Sequence, residues 1–259
     1  MKIYIFVDIE GISGVSNRKY ISMDEGRPDL VALARKYMAE DTNACIEGCF
    51  RGGASEVIVR DGHGGSSNMT REQIDPRADF IDGMTPGIRF ADMDGADGLI
   101  LLGYHAMAGT ACALLEHTYS SVEIQNVWLN GRKAGEVGID AAIAAEHQVP
   151  VILVSGDDKV CAEAEDWIPG VVTCEVKKGF SSFGARMPSL EKTRQLITRK
   201  AEEAVRKVKQ IPCIRLEYPV KYRVELVERR QPNPWAERID GRTYEVETNS
   251  VEQTLLGKV

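Results

Sequence analysis

Ile3-Tyr4-Ile5-Phe6-Val7 runs directly into Asp8-Ile9-Glu10-Gly11-Ile12-Ser13 near the start of a 259-residue chain. Five β-branched and aromatic residues in succession predict a buried strand. Side chains alternate along a strand, so Phe6, Asp8 and Glu10 face one way and Val7 and Ile9 the other. Two carboxylates are thereby presented together where the strand runs out into a glycine loop. Burying two like charges that close is unfavourable unless a cation lies between them. The segment alone allows two readings: a metal site, or a strand end with both acids solvated.

Working outward, strands and helices alternate. Leu30, Ala34, Tyr37, Met38, Cys45 and Cys49 recur at helical spacing after a loop from Ser13 to Pro28, and the helix ends near Gly52-Gly53. Glu56-Val57-Ile58-Val59 predicts a second strand leading into Asp61-Gly62-His63-Gly64-Gly65, and Ala78-Asp79-Phe80-Ile81 a short third. The fourth, Gly98 to Gly103, is almost wholly apolar, as in a strand covered on both faces, and delivers Tyr104-His105 at its end. Asn130-Gly131, between Val122–Leu129 and Arg132–Ala134, is the dipeptide of a type I′ hairpin. Glu136 then opens an alanine-rich helix, and Val149 to Val154 is another buried strand, followed by Ser155-Gly156-Asp157-Asp158 and a short helix. Leu190 to Val208 is amphipathic, with Ser189 as its N-cap. Beyond it come three strand-like stretches, Ile214–Tyr218, Arg223–Val227 and Thr243–Glu247, interrupted by Gln231-Pro232-Asn233-Pro234. The expected architecture is a single α/β domain over residues 1–259, with a mainly parallel central sheet flanked by helices and residues 212–259 as a β-rich C-terminal elaboration.

Composition limits the partners. A 43% hydrophobic content in 259 residues supports a substantial core within one large domain. The net charge is −7, and lysine and arginine are scattered without a basic run, which argues against nucleic acid. No apolar stretch approaches the ~18 residues needed to span a membrane. Met1 leads directly into the first strand and leaves no room for a signal peptide, so a cytoplasmic location is expected. Cys45, Cys49, Cys112, Cys161, Cys174 and Cys213 form no CxxC pair and read as buried free thiols of a reducing compartment.

Ligands of open α/β sheets bind beyond the carboxyl ends of the strands. Asp8 and Glu10 follow the first strand, His63 the second and His105 the fourth; His117 lies in the next loop and Glu136 after the hairpin. Singly, each histidine reads better as a satisfied, partly buried polar group than as a ligand. Jointly, imidazoles and carboxylates suit zinc, with carboxylates able to bridge a second ion. His147, at a helix end before Gln148-Val149-Pro150, reads as a C-terminal cation or cap. The glycines around His63 have neither GxGxxG nor P-loop spacing and no lysine, which disfavours a phosphate cradle.

Taken together, Val7-Asp8-Ile9-Glu10-Gly11-Ile12-Ser13-Gly14, Asp61-Gly62-His63, Leu102-Gly103-Tyr104-His105-Ala106, the His117 region, Asn130-Gly131 with Gly135-Glu136-Val137-Gly138, and Val154-Ser155-Gly156-Asp157-Asp158 resemble the D-aminopeptidases of peptidase family M55. The blocks keep the family order over about the first two thirds of the chain. The resemblance implies a dinuclear zinc hydrolase, two Zn²⁺ per subunit, with Asp8, Glu10, His63, His105 and Glu136 as ligands and Asp8 bridging. It implies His117 as the catalytic residue outside the ligand set. It also implies substrates that are short peptides or amides with an N-terminal D-amino acid, D-alanine above all, and a ring-shaped homodecamer. Asp61-Gly62-His63-Gly64-Gly65 is more glycine-rich than the Asp-Ser-His form of the family. Two other classes compete: another dinuclear metal-dependent hydrolase, an amidase or phosphoesterase, and a non-catalytic self-assembling protein of the same fold. No arginine or lysine is evident beside the ligand motifs, which tells against an anionic phosphate substrate.

Overall fold

In the computed structural model, which describes residues 1–229 and 236–255, strand β1 (Lys2–Val7) leads through a long loop into helix α1 (Pro28–Gly52). Strands β2 (Glu56–Asp61), β3 (Asp79–Ile81) and β4 (Gly98–Tyr104) follow, then the hairpin β5 (Ile124–Leu129) and β6 (Arg132–Ala134). After helix α2 (Glu136–Glu146) come β7 (Val151–Asp157), α3 (Asp158–Trp167), β8 (Val172–Ser181), β9 (Gly184–Arg186) and α4 (Leu190–Arg206). The chain closes with β10 (Val220–Leu226), β11 (Glu237–Arg238), β12 (Thr243–Thr248) and α5 (Val251–Leu255). The Gln231-Pro232-Asn233-Pro234 interruption lies outside the described residues.

A seven-stranded sheet in the order β3-β2-β1-β4-β7-β8-β9 forms the centre, parallel except for β9. Every residue of β4 and β7 is buried, as continuous apolar runs between helical layers require. Helix α1 has Pro28 at its start and Gly53 in the left-handed region (φ 102°) at its end; it buries Ala34, Met38, Cys45 and Cys49 and packs against α4, which Ser189 caps by accepting from Lys192 N. Val7 lies opposite both Asp61 and Leu102, so β1, β2 and β4 finish level along one edge.

A second, antiparallel sheet has the order β11-β12-β10-β5-β6. The anticipated hairpin therefore joins the C-terminal strands, and both Asn130 (φ 50°) and Gly131 (φ 80°) take the left-handed conformation of a type I′ turn. Val220, Tyr222, Tyr244 and Val251 pack into the same core as Ile3 and Leu101.

Three expectations are corrected. Ile214–Tyr218 is not a strand: no strand pairs with it among the described residues, and its Glu217 carbonyl accepts from the Asn130 side chain (2.8 Å). The ten-residue β8 was not anticipated, because Lys177-Lys178 interrupts the alternation of Val172, Cys174 and Val176. Cys112 is exposed and Cys213 half-buried, so only four of the six free thiols are core.

Candidate functional site

The level ends of β1, β2 and β4 bring segments distant in sequence to one edge. Asp8 N donates to Leu102 O (2.8 Å) and Gly11 N to Gly103 O (2.7 Å), laying the turn after β1 across the end of β4. This crossing requires glycine on both sides. A Cβ at Gly11 would sit 2.0 Å from Tyr104 O, and one at Gly103 (φ +75°) 2.3 Å from Asp8 O. The loop after β2 is braced by buried Asp61, which accepts from Asn68 N (2.7 Å) and Met69 N (3.0 Å), while Asn68 Nδ2 donates to His63 O (2.9 Å). A Cβ at Gly62 would lie 2.1 Å from the Phe6 ring, so the close packing of this loop on Phe6 leaves no room for a side chain there. Glu136 is the first residue of α2, where a carboxylate is favoured by the helix dipole, and Tyr119 N donates to its Oε1 (2.8 Å).

Asp8, Glu10, His105 and Glu136 are buried, and His63 and His117 are partly so. His63 Nδ1 stands 2.9 Å from Asp8 Oδ1 and 3.1 Å from Glu10 Oε2. His105 Nε2 stands 3.5 Å from Asp8 Oδ2 and 3.1 Å from Glu136 Oε1. Asp8 thus turns one oxygen to each histidine. Donor atoms within 4.8 Å of one another form two clusters, Asp8-Glu10-His63 and His105-His117-Glu136.

These residues fit a pair of metal ions. Ligands ~2 Å from a tetrahedral ion lie about 3.3 Å from each other, close to the 2.9 and 3.1 Å of His63 from Asp8 and Glu10 and the 3.1 and 3.5 Å of His105 from Glu136 and Asp8. Glu10 Oε2 and His105 Nε2 are buried and make no hydrogen bond among the described residues, although a partner stands 3.1 Å from each. His105 Nδ1 donates to Ala106 O (3.1 Å), which fixes the tautomer that leaves Nε2 free as an acceptor toward the cluster. Metal-free, protons take over the balancing role. Burial opposes charge on His63 and His105, but the facing carboxylates outweigh it, raising His63 well above the ordinary range and His105 to about 10. Burial likewise opposes charge on Glu10 and Glu136, and the histidines still hold both carboxyls low.

His117 is placed differently from the others. Its Nδ1 donates to Leu115 O (2.8 Å), leaving Nε2 facing the cluster 3.9 Å from Glu136 Oε1. Its ring stacks on that of His105, with centroids 3.8 Å apart and planes 12° from parallel. An imidazole ligates in its own plane. Stacked rings keep their in-plane lone pairs in two separate, nearly parallel planes.

Several residues around the site carried no sequence signal. Arg89, in the loop before β4, donates through Nε and an NH2 group to both oxygens of Asp140 (2.9 Å each) and stacks on Phe6. Asp140 also accepts from Tyr104 OH (2.6 Å) and Tyr119 OH (3.2 Å), while Arg89 lies 3.6 Å from Glu136 Oε2. Buried Lys177, on β8, donates to the carbonyls of Glu10 (2.7 Å), Ile12 (2.8 Å) and Val15 (2.8 Å). Burial pushes its ammonium down to about 7. His147 caps α2 as expected and pairs with Asp94 (2.7 Å) and Glu252 (3.3 Å), away from the cluster. Beside the cluster opens a cavity of about 460 Å³ lined by Glu10, Arg18, Met23, Glu116, His117 and Phe183, among others. Arginines absent from the ligand motifs in sequence therefore reach the site in space.

Residues 1–256 match the model of the M55 peptidase family, whose description is D-aminopeptidase. A D-aminopeptidase of Bacillus subtilis (strain 168) is 34% identical over 257 residues, covering 97% of this chain and 90% of that protein. A solved structure described as the Zn-dependent D-aminopeptidase DppA from Bacillus subtilis, a self-compartmentalizing protease, is similar with a TM-score of 0.91 and 29% identity, covering 98% of this chain and 93% of the other. Among the described residues no helix is long and apolar enough to cross a membrane.

Proposed function

The chain belongs to the D-aminopeptidases of peptidase family M55, and we propose that it is a dinuclear zinc aminopeptidase that releases N-terminal D-amino acids, D-alanine above all, from short peptides and amides. The observation that carries the reading is Asp8, whose two oxygens face His63 and His105 separately, as a carboxylate shared by two ions would. In this proposal Asp8 and Glu10 with His63 would hold one ion, and Asp8 with His105 and Glu136 would hold the other; the zinc dependence of the similar Bacillus subtilis enzyme supports the choice of metal. Zinc bound there supplies Lewis acidity to the scissile carbonyl and acidity to water.

The chain's own residues supply the rest. Glu116, outside the ligand set, gives the cavity a carboxylate that attracts a substrate α-ammonium, and Met23 and Phe183 give it apolar surface for a small side chain. His117, anchored through Nδ1, takes a proton at Nε2 and passes it to the departing amine nitrogen. Its stacking on His105 supports a role outside the ligand set.

The self-compartmentalizing description of the similar structure supports a closed ring, a homodecamer in this proposal, with residues 1–259 as one domain. The six free thiols suit a reducing compartment, and the cytoplasm is proposed as the place of action.

The test is zinc stoichiometry by elemental analysis together with hydrolysis of paired D- and L-alanyl amides and an aryl phosphate. Two zinc ions per chain and turnover of the D-amide alone are expected. One ion per chain, equal turnover of both enantiomers, or hydrolysis of the phosphate alone refutes the reading. Light scattering at the mass of one 28.6 kDa chain refutes the ring.

A further inference from the structure

The cavity beside the cluster contains a cation without a protein partner. Arg18 lies on the 3-10 turn Arg18–Tyr20 and lines the cavity together with Glu10 and His117. Arg89 is committed to Asp140, and Lys177 spends its donors on three carbonyls. The guanidinium of Arg18 makes no hydrogen bond or ion pair among the described residues. Its backbone, in contrast, is fixed. Asn17 Oδ1 caps the turn by accepting from Lys19 N (3.0 Å), and Ile21 N (3.0 Å) and Ser22 N (2.9 Å) both donate to Arg18 O. An exposed, unpaired guanidinium on an anchored turn, lining this cavity as well as a neighbouring one with Lys19 and Phe183, is placed to meet an anion on the ligand.

Resting on the aminopeptidase reading above, we infer that Arg18 recognises the C-terminal carboxylate of the substrate, so that the site selects short peptides with a free carboxyl end over amides and longer chains. The charges of such a peptide match those of the cavity. Its α-ammonium faces the carboxylate of Glu116, and its carboxylate lies one or two residues past the scissile bond. An extended residue spans about 3.5 Å, so both ends of a dipeptide or tripeptide fall within one cavity of this size. A guanidinium presents a planar fork that a carboxylate meets with two parallel hydrogen bonds. An amide offers that fork a single neutral acceptor. A longer peptide carries its carboxylate out of reach.

The pair D-alanyl-glycine and D-alanyl-glycinamide isolates the effect, since acyl group and scissile bond are identical and only the terminal charge differs. On zinc-loaded wild-type protein, kcat/KM is expected to favour the free acid by about 10- to 100-fold, the usual worth of charge-assisted hydrogen bonds. Arg18→Gln should bring the ratio close to one, with the loss falling on the free acid, and Arg18→Lys should retain part of it. A wild-type ratio near one, or a ratio that survives Arg18→Gln, overturns the assignment. A wild-type protein that hydrolyses neither peptide refutes the aminopeptidase reading instead. Calorimetric titration with the same two peptides then decides Arg18 separately. The assignment stands if the free acid binds wild type at least tenfold more tightly and Arg18→Gln removes the difference, and it falls if the two peptides bind alike.

Discussion

Replacing Asp140 by Asn removes the charge that balances a guanidinium packed beneath the candidate metal centre. Asp140 is fully buried and accepts both parallel hydrogen bonds of Arg89 as well as those of two tyrosine hydroxyls. Asparagine keeps the volume but turns an NH2 group toward donors, leaving at least one of them unsatisfied. Breaking a buried ion pair from one side costs about 3–5 kcal/mol. The Arg89 side chain keeps 16% of its exposure, so water screens part of its charge and the lower end, about 3 kcal/mol, is expected. For a chain of this size that is a fall in Tm of roughly 6–12 °C. A second effect follows from the position of Arg89. Its NH2 group already lies 3.6 Å from Glu136 Oε2, and once freed from Asp140 it pairs with Glu136. The guanidinium then competes with the metal for that carboxylate, and zinc affinity should fall about 10- to 100-fold, as for loss of an outer partner of a ligand. Scanning calorimetry on metal-free protein reads the first effect, and zinc competition with a chromophoric chelator the second. The double variant Arg89→Met/Asp140→Leu should recover part of the Tm, since removing both charges leaves neither uncompensated. Metal-free Asp140→Asn protein melting within about 2 °C of wild type, with unchanged zinc affinity, would mean that Asp140 neither balances Arg89 nor keeps it from Glu136.

His117→Ala should keep near-normal zinc while kcat falls about 10²–10⁴-fold, the worth of a general acid–base group; loss of zinc would make it a ligand, and full activity would deny it a role. Asp8→Asn should reduce zinc content at both positions together, and elemental analysis showing one ion retained at full occupancy would contradict the shared carboxylate. Lys177→Met strands three buried carbonyls on the turn that carries Glu10, so Tm should drop by an amount equivalent to about 3 kcal/mol and zinc content should drop with it. Unchanged zinc at lowered Tm would confine Lys177 to folding. Burial raises the Glu163 carboxyl from its ordinary 4.5 to about 7, against the stabilising bond from Met107 N (2.8 Å). The folded state therefore holds a proton that the unfolded state has released, and stability falls as pH rises from about 4.5 through 7. Glu163→Gln should flatten that slope in denaturant titrations, and an unaltered slope would assign it to other groups.

The parts of this site that were legible in sequence are those whose chemistry coincides with a local pattern. Asp8, His63, His105 and Glu136 each stand at the end of a strand or the start of a helix, and strand ends in a parallel sheet share one edge, so their convergence followed from order alone. The cations that hold them there did not follow. Arg89 lies in a loop without periodicity, 51 residues from the Asp140 it grips, and Lys177 is hidden in a Lys-Lys pair that also concealed its strand. A charged residue in such a segment reads as solvated, because solvation is what local sequence predicts for it. Burial comes from distant partners, Asp140 and Phe6 for Arg89 and the carbonyls of Glu10, Ile12 and Val15 for Lys177, which no window of the chain contains. Three carboxylates on one sheet edge cannot be brought together without opposite charge nearby. Histidines and metal answer for the face that opens to the cavity. On the protein side the balance falls to Arg89 beneath Glu136 and to Lys177 beneath the Glu10 turn. Placing carboxylates at strand ends therefore entails cations somewhere in the chain behind them, even where only the folded structure can say which ones.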